Sequence, residues 1–159
     1  VINMSSLLTM LQNDAKALSN GKHEIHLNAD ETLNIKGSND ELLSAFTNLV
    51  TNAVRYTPEG GDVTIGWALK NEQAVFSVKD SGIGIEAQHI VRLTERFYRV
   101  DNGRSRDTGG TGLGLAIVKH ILNRHKARLE IKSTIGEGST FSIVFPQSRK
   151  AIKPSQEAA

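Results

Sequence analysis

The sequence predicts an α+β fold, a two-layer α/β sandwich in which helices cover one face of a mixed, mostly antiparallel sheet. Three observations predict it. Hydrophobic residues recur at helical spacing in several separate segments, and short runs that alternate apolar and polar residues lie between those segments. Clusters of Gly, Asn, Asp and Pro separate the two kinds of segment. The chain has 159 residues, 38% of them hydrophobic and 23% charged, which is typical of one globular domain.

The first half of the chain alternates helices with pairs of short strands. Leucines and alanines at helical spacing predict a helix over residues 2–18, which Asn20-Gly21 ends. Two strand-like runs follow, HEIHLN and TLNIKG. A strongly periodic helix then begins near Ser38 and ends at the breaker TPEGGD, and the strand pair DVTIGWAL and AVFSVKD comes next.

The second half contains two glycine-rich loops. The first, residues 80–84, precedes a short helix around Ile90 and Leu93. Residues 99–112 lack apolar periodicity, and loops of this length are usually functional. A helix over 113–125 and the strands RLEIKS and TFSIVF complete the fold, and Pro146 stops the last strand. We expect residues 147–159 to form a disordered tail.

Composition argues against several classes of protein. The formal net charge is only +2 and the basic residues form no broad face, which disfavours a nucleic-acid-binding protein. The absence of cysteine excludes a disulfide framework and a thiolate metal site. No apolar run approaches the roughly 18 residues of a membrane helix, and the N-terminus does not have the pattern of a signal peptide. We therefore expect a cytosolic chain or a cytosolic part of a larger protein.

The stretch DTGGTGLGL, residues 107–115, leads directly into a helix. It lacks the lysine of a P-loop and does not follow a strand, so it fits neither a P-loop nor a dinucleotide-binding fingerprint. Its glycines would still let an anion approach the free N–H groups of the helix start. A flexible turn that only caps the helix is the alternative.

Two further motifs indicate a nucleotide. In DSGIGI, Asp80 ends a strand beside Ile83 and Ile85, where its carboxylate could accept a hydrogen bond from an exocyclic amine such as that of adenine. An Asx turn is the alternative explanation. In NLVTNAVRYT, Asn48, Asn52 and Arg55 lie on one helical face.

Neutral amide oxygens on that face suit a hydrated Mg²⁺ that bridges to phosphates. Solvated surface asparagines are the alternative, although Asn is unfavourable inside a helix. The segment ERFYRVDNGRSR also places Tyr98, Arg99, Arg104 and Arg106 beside the long loop, where arginine could bind phosphate or remain a solvated charge.

In this order and spacing, the motifs resemble the ATP-binding catalytic domain of sensor histidine kinases. NLVTNAVRYT is similar to the family's N box, DSGIGI to its first glycine box, ERFYRV to its F box, GGTGLGL to its second glycine box and GEGSTF to its third. The resemblance covers roughly residues 20–146. It implies an α/β sandwich that binds ATP and Mg²⁺ between helices and a flexible lid, here residues 99–112. One departure is Thr94, where the F box commonly has Phe.

The resemblance also implies a role for each matched residue. Asn52 would bind Mg²⁺, with Asn48 beside it at the polyphosphate, and Arg99 would face the γ-phosphate, so that Asn48 and Arg99 are the catalytic candidates. Asp80 would accept from the adenine amine, with Gly82 and Gly84 permitting close approach. The remaining nucleotide-binding positions would be Arg55, Tyr56, Ile85, Tyr98, Gly110, Thr111, Gly112, Leu113, Gly114, Leu115 and Thr140.

The phosphate acceptor is expected outside the chain. Related ATPases of the superfold have Glu where this chain has Asn48, and an amide cannot act as a general base, so hydrolysis should be slow. His23 is followed by Glu24 but lacks the rest of the family's acceptor motif. The resemblance therefore implies transfer to a histidine on the kinase's own dimerisation domain, and from there to a response regulator.

The same resemblance sets the expected domain limits and the expected parent protein. Residues 1–19 would be the end of a dimerisation-hairpin helix with its linker, and residues 20–146 the catalytic domain. The parent would be a homodimer anchored in the bacterial inner membrane, with this domain in the cytoplasm. The alternatives are an ATP-hydrolysing enzyme of the same superfold and a non-catalytic nucleotide-binding regulatory module.

Overall fold

The computed structural model describes residues 1–90 and 114–152. The elements are α1 (Met4–Ser19), β1 (Glu24–Ala29), β2 (Leu33–Ile35), α2 (Asn39–Tyr56), β3 (Asp62–Lys70), β4 (Gln73–Asp80), α3 (Ala87–Ile90), α4 (Gly114–Arg124), β5 (Arg128–Thr134), β6 (Gly138–Val144), a 3₁₀ turn (Gln147–Arg149) and β7 (Lys150–Ile152). No described helix is long and apolar enough to cross a membrane.

Five strands form one sheet in the order β1-β3-β4-β6-β5. The β1–β3 pair is parallel and the other three pairs are antiparallel. The predicted fold class, a mixed and mostly antiparallel sheet with helices on one face, is therefore confirmed. A second, two-stranded sheet of β2 and β7 was not predicted.

The two faces of the large sheet differ in polarity, because successive residues of a strand point to opposite sides. One face carries Ile65, Trp67, Phe76 and Ile143, all 1% exposed or less, and contacts the helices. There Phe46 of α2 stacks on Phe76 with ring centroids 4.1 Å apart. The opposite, open face is lined mainly by polar side chains.

Helix α2 carries the predicted N box, and its ends are well defined. The Ser38 hydroxyl caps its N-terminus by accepting from the Glu41 N–H at 3.3 Å, and Asp40 and Glu41 are the acidic residues that a helix start favours. At the C-terminus the Thr57 hydroxyl donates to the Ala53 carbonyl at 2.7 Å. This helix packs its apolar stripe on the sheet and so directs the neighbouring polar face to one edge of the core.

Helix α1 packs into the same hydrophobic core as the rest of the chain. Its buried residues Met4, Leu7, Leu8 and Leu11 belong to one cluster with α2 and the sheet. The predicted boundary at residue 20 therefore does not separate two packing units. That residues 1–19 continue a dimerisation hairpin stays a prediction.

The expected disorder of the C-terminal tail is wrong for residues 147–152. They form the 3₁₀ turn and β7, which pairs antiparallel with β2. The physical reason is that β2 offers a strand edge whose Leu33 and Ile35 are wholly buried. Residues 153–159 lie outside the described residues, as do the predicted lid and Leu93 of the predicted short helix, which is described as α3 up to Ile90.

Candidate nucleotide site

The candidate site lies where the C-terminal end of α2 meets the loop that follows β4. The Ile83 N–H donates to the Tyr56 carbonyl at 3.4 Å, and the Gly136 N–H donates to the Ile83 carbonyl at 2.9 Å. The loop after Asp80 is thus held between α2 on one side and the β5–β6 turn on the other. Two motifs that lie far apart in sequence, the N box and the first glycine box, are in direct contact here.

Asp80 forms the Asx turn that the sequence offered as one of two interpretations, and its geometry leaves the other interpretation, a ligand acceptor, open. Its Oδ1 accepts from the Gly82 N–H at 2.9 Å, which is an Asx turn, and from the Ser139 N–H at 3.3 Å. Among the described residues, none donates to Oδ2. The carboxyl group is buried (8% exposed), and burial raises its pKa above the ordinary value, although the two backbone hydrogen bonds oppose the shift. One oxygen therefore fixes the loop, and the other is available to a ligand donor.

Close packing against the protein's own backbone requires glycine at positions 82 and 84. A Cβ at Gly82 would lie 2.4 Å from the Tyr56 carbonyl oxygen. A Cβ at Gly84 would lie 2.2 Å from the Thr134 carbonyl oxygen, and its φ of +76° also favours glycine. Close approach of the protein's own backbone accounts for both residues, whereas the sequence indicated close approach of a ligand.

The polar face of α2 presents two amide side chains. Asn48 and Asn52 are half-buried and lie one turn apart, with Tyr56 a further turn along the same row. The Asn48 Nδ2 donates to the Ser44 carbonyl at 2.9 Å, and no described residue bonds its Oδ1 or the side chain of Asn52. These oxygens fit a Mg²⁺ ion that keeps part of its water shell. Arg55 and Tyr56 are exposed beside them, Tyr56 by 40%.

Ser139 contacts Asp80, whereas the predicted site residue Thr140 lies on the opposite face of the sheet. Ser139 lies opposite Asp80 in the β4–β6 register and is buried, whereas Thr140 lies between Lys79 and Lys132 on the open face. The sequence analysis chose Thr140 of this segment, but a shift of one residue in a strand means the opposite face, and Ser139 is the residue that shares a face with Asp80. The alternation Ser139, Phe141, Ile143 was the signal, because two apolar residues mark that face as the core side.

Other predicted site residues are only partly covered by the structure. Ile85 is half-buried, and its N–H donates to the Ser133 hydroxyl at 2.7 Å. Gly114 begins α4, and Leu115 packs against the core. The remaining predicted residues lie outside the described residues: Tyr98, Arg99, Gly110, Thr111, Gly112 and Leu113.

A second group of possible metal ligands lies on the open face of the sheet. Donor atoms of Glu24, His26 and Asp62 are within 4.8 Å of one another, and all three side chains are exposed. The His26 Nε2 is 3.6 Å from the Glu24 Oε2 and 3.5 Å from the Asp62 Oδ1. These contacts are ion pairs when His26 is protonated. Because α2 covers the other face, this group is not part of the predicted Mg²⁺ site.

Most of the chain is similar to proteins of one known family. A match to the family described as histidine kinase-, DNA gyrase B- and HSP90-like ATPase covers residues 37–149. The phosphate regulon sensor protein PhoR of Pseudomonas aeruginosa is 54% identical over 93% of this chain, which spans 34% of that protein. PhoR of Haemophilus influenzae is 40% identical over 97% of this chain, which spans 36% of it. The chain thus spans about a third of the length of these curated relatives.

Solved structures show the same fold. The mycobacterial sensor histidine kinase MprB has a TM-score of 0.82 at 25% identity, covering 97% of this chain and 99% of that chain. Full-length ShkA, in complex with AMPPNP, has a TM-score of 0.81 at 25% identity, covering 97% of this chain and 31% of that chain. The resemblance to histidine kinases is confirmed, and among the curated relatives the chain is similar to phosphate regulon sensor proteins.

Proposed function

The chain belongs to the family of histidine kinase-, DNA gyrase B- and HSP90-like ATPases as the ATPase domain of a sensor histidine kinase, and from this premise we propose how it acts. It binds ATP with Mg²⁺ and donates the γ-phosphate to a histidine on the dimerisation domain of its parent protein. A response regulator then receives the phosphate. By likeness to PhoR, the pathway is the response to phosphate starvation.

One observation carries the proposal: the buried carboxylate of Asp80 has one oxygen, Oδ2, to which no residue in the described part of the chain donates, and it lies next to the helix that presents Asn48 and Asn52. The free oxygen suits the amine of adenine. The amide oxygens lie along α2, where they would hold the Mg²⁺ ion and orient the phosphates. A bound Mg²⁺ supplies neutralising charge at the phosphate oxygens.

Asn48 favours transfer to a protein over hydrolysis. Its amide is held by the Ser44 carbonyl and has no basic group with which to activate water. Phosphoryl transfer depends chiefly on positioning and on electrostatic stabilisation, which Asn52 and the Mg²⁺ ion would supply. Arg99 and the glycines of the second glycine box remain predicted contacts to the phosphates, and Tyr98 remains a predicted nucleotide-binding residue.

The experiment combines the chain with a separately produced dimerisation domain of its parent and with labelled ATP and Mg²⁺. We expect the label on a histidine of the added domain, and Asn52→Ala should reduce the initial rate by at least about tenfold, since it removes the metal ligand. Label on the chain's own histidines would contradict an external acceptor. Free phosphate released much faster than the label is transferred would instead identify a hydrolase.

A further inference from the structure

Ser133 of β5 lies where three segments around Asp80 meet. Its Oγ accepts from the Ile85 N–H at 2.7 Å, donates to the Gly138 carbonyl at 3.1 Å and lies 2.7 Å from the Ser139 Oγ. A hydroxyl has one proton to donate and two acceptor lone pairs. With the Ser139 hydroxyl donating to it, Ser133 has every hydrogen-bonding position in use.

This hydroxyl is linked to Asp80 on two sides. Asp80, Ser139 and Ser133 occupy matching positions on three adjacent strands and face the helix-covered side. On one side, Ser133 bonds Ser139, whose N–H donates to the Asp80 Oδ1. On the other side, Ser133 accepts from the N–H of Ile85, which ends the glycine loop that begins at Asp80. Ser133 therefore holds in place both Ser139 and the glycine loop, the two segments that flank the Asp80 carboxylate.

We propose that Ser133 is a positioning residue for purine recognition. By fixing Ser139 and the glycine loop, it orients Asp80 so that Oδ2 points to the exocyclic amine of the base. The inference rests on the proposed function, in which Asp80 reads adenine. Ser133 itself does not touch the nucleotide; it acts through the direction of the carboxylate.

The proposal predicts a change in base discrimination. Inosine triphosphate has a carbonyl oxygen where ATP has the amine, so a correctly placed carboxylate binds ATP and repels the analogue. In Ser133→Ala, the ratio of the Kd for inosine triphosphate to the Kd for ATP should fall by about three- to tenfold. A change of this size corresponds to weakening one hydrogen bond, here the one between the Asp80 carboxylate and the amine of adenine. Binding of the phosphates, which both nucleotides share, should change little.

The experiment measures the Kd of both nucleotides with Mg²⁺ by calorimetry on the full chain. Ser133→Thr keeps the hydroxyl and should retain the parent ratio. Ser142→Ala is the matched control, because Ser142 is a half-buried serine on the open face of the neighbouring strand. Ser133→Cys, of nearly the same size but a weak acceptor, repeats the test if the alanine variant does not fold. Asp80→Asn should abolish the preference and serves as the reference.

The outcomes separate the two hypotheses. If the parent chain shows no preference for ATP, or if Asp80→Asn keeps the parent ratio, the adenine assignment in the proposed function is wrong. If Asp80→Asn loses the preference while Ser133→Ala and Ser133→Cys keep it, Ser133 supports only the fold. A lowered melting temperature with an unchanged ratio would likewise overturn the inference.

Discussion

At the scale of single residues, burial of the Asp80 carboxyl group sets the stability of the fold against the adenine binding that we propose for it. Burial raises the pKa of its carboxyl group above the ordinary value of 3.8, so the folded chain binds the proton more tightly than the unfolded chain does. The stability that Asp80 contributes is present at low pH and is lost as the pH rises through its raised pKa. At neutral pH the charged carboxylate is kept at a cost in stability.

We therefore expect Asp80→Asn to stabilise the fold near neutral pH. The amide has no charge to desolvate, and its oxygen can still accept from Gly82 and Ser139. A gain of about 1 kcal/mol would raise the melting temperature by roughly 2–4 °C. Differential scanning calorimetry at about pH 7 measures this difference, which should shrink toward about pH 3.5. A lower melting temperature at pH 7 would show that the charge is compensated in the folded state.

The sequence predicted Asp80 as a key residue but could not settle how its oxygens are used. Whether the motif was an Asx turn or a ligand acceptor depended on Ser139, which lies 59 residues further along the chain. The error at Thr140 has a similar origin, because a motif comparison locates a box and only the strand register shows which face each residue takes.

At the scale of elements, α4 and α2 are joined at a defined point. His125, immediately after α4, is buried; its Nδ1 donates to the Ile121 carbonyl at 2.9 Å, and its Nε2 accepts from the Ser38 N–H at 3.1 Å. Ser38 is the N-cap of the N-box helix. A surface ion pair between Arg124 and Glu41, 2.8 Å apart, lies next to this contact. The helix that follows the second glycine box is thereby attached to the helix with the predicted Mg²⁺ ligands.

Replacing His125 with alanine should destabilise the chain substantially. The change leaves the Ser38 N–H without its acceptor and opens a cavity against Gly37, where the imidazole ring packs so closely that a Cβ would lie 2.9 Å from it. We expect a loss of about 2–4 kcal/mol in the free energy of unfolding. Urea unfolding measures it.

His120→Ala on the exposed side of the same helix is the control for His125→Ala, and it should change the free energy of unfolding by less than about 0.5 kcal/mol. Equal effects of the two substitutions would mean that the buried contact contributes little. No sequence pattern singled out His125, because its partner lies 87 residues away.

At the scale of the whole molecule, the two ends of the described chain meet at β2. The Ile2 N–H donates to the Ile35 carbonyl at 2.8 Å, and the Lys36 N–H donates to the Arg149 carbonyl at 2.8 Å. Strand β2 is also joined to the main sheet, because the Leu33 carbonyl accepts from the Trp67 Nε1–H at 2.8 Å in the core. The small sheet therefore ties the start of the chain, the C-terminal strand and the main sheet together.

Removing β7 should therefore weaken the fold although it lies beyond the family match, which ends at residue 149. We expect a chain ending at residue 149 to lose about 1–3 kcal/mol of stability, because Ile35 and Leu33 lose the strand that covers them. Hydrogen exchange at the amides of Ile2 and Lys36 should accelerate in the same variant. A chain ending at residue 152 is the control, and equal stabilities would show that β7 contributes nothing.

The sequence by itself determined the fold class, the order of the described helices and strands as far as β6, and the motifs of the candidate nucleotide site. Hydrophobic periodicity and glycine positions are local properties, and they can be read without knowing what lies opposite. The tertiary structure alone decided that Ser139 and not Thr140 faces Asp80, that Gly82 and Gly84 accommodate backbone carbonyls, that α1 belongs to the core, and that residues 150–152 pair with β2. Each of these depends on contacts between distant segments, and the pairing of strands is fixed only when the whole core is assembled.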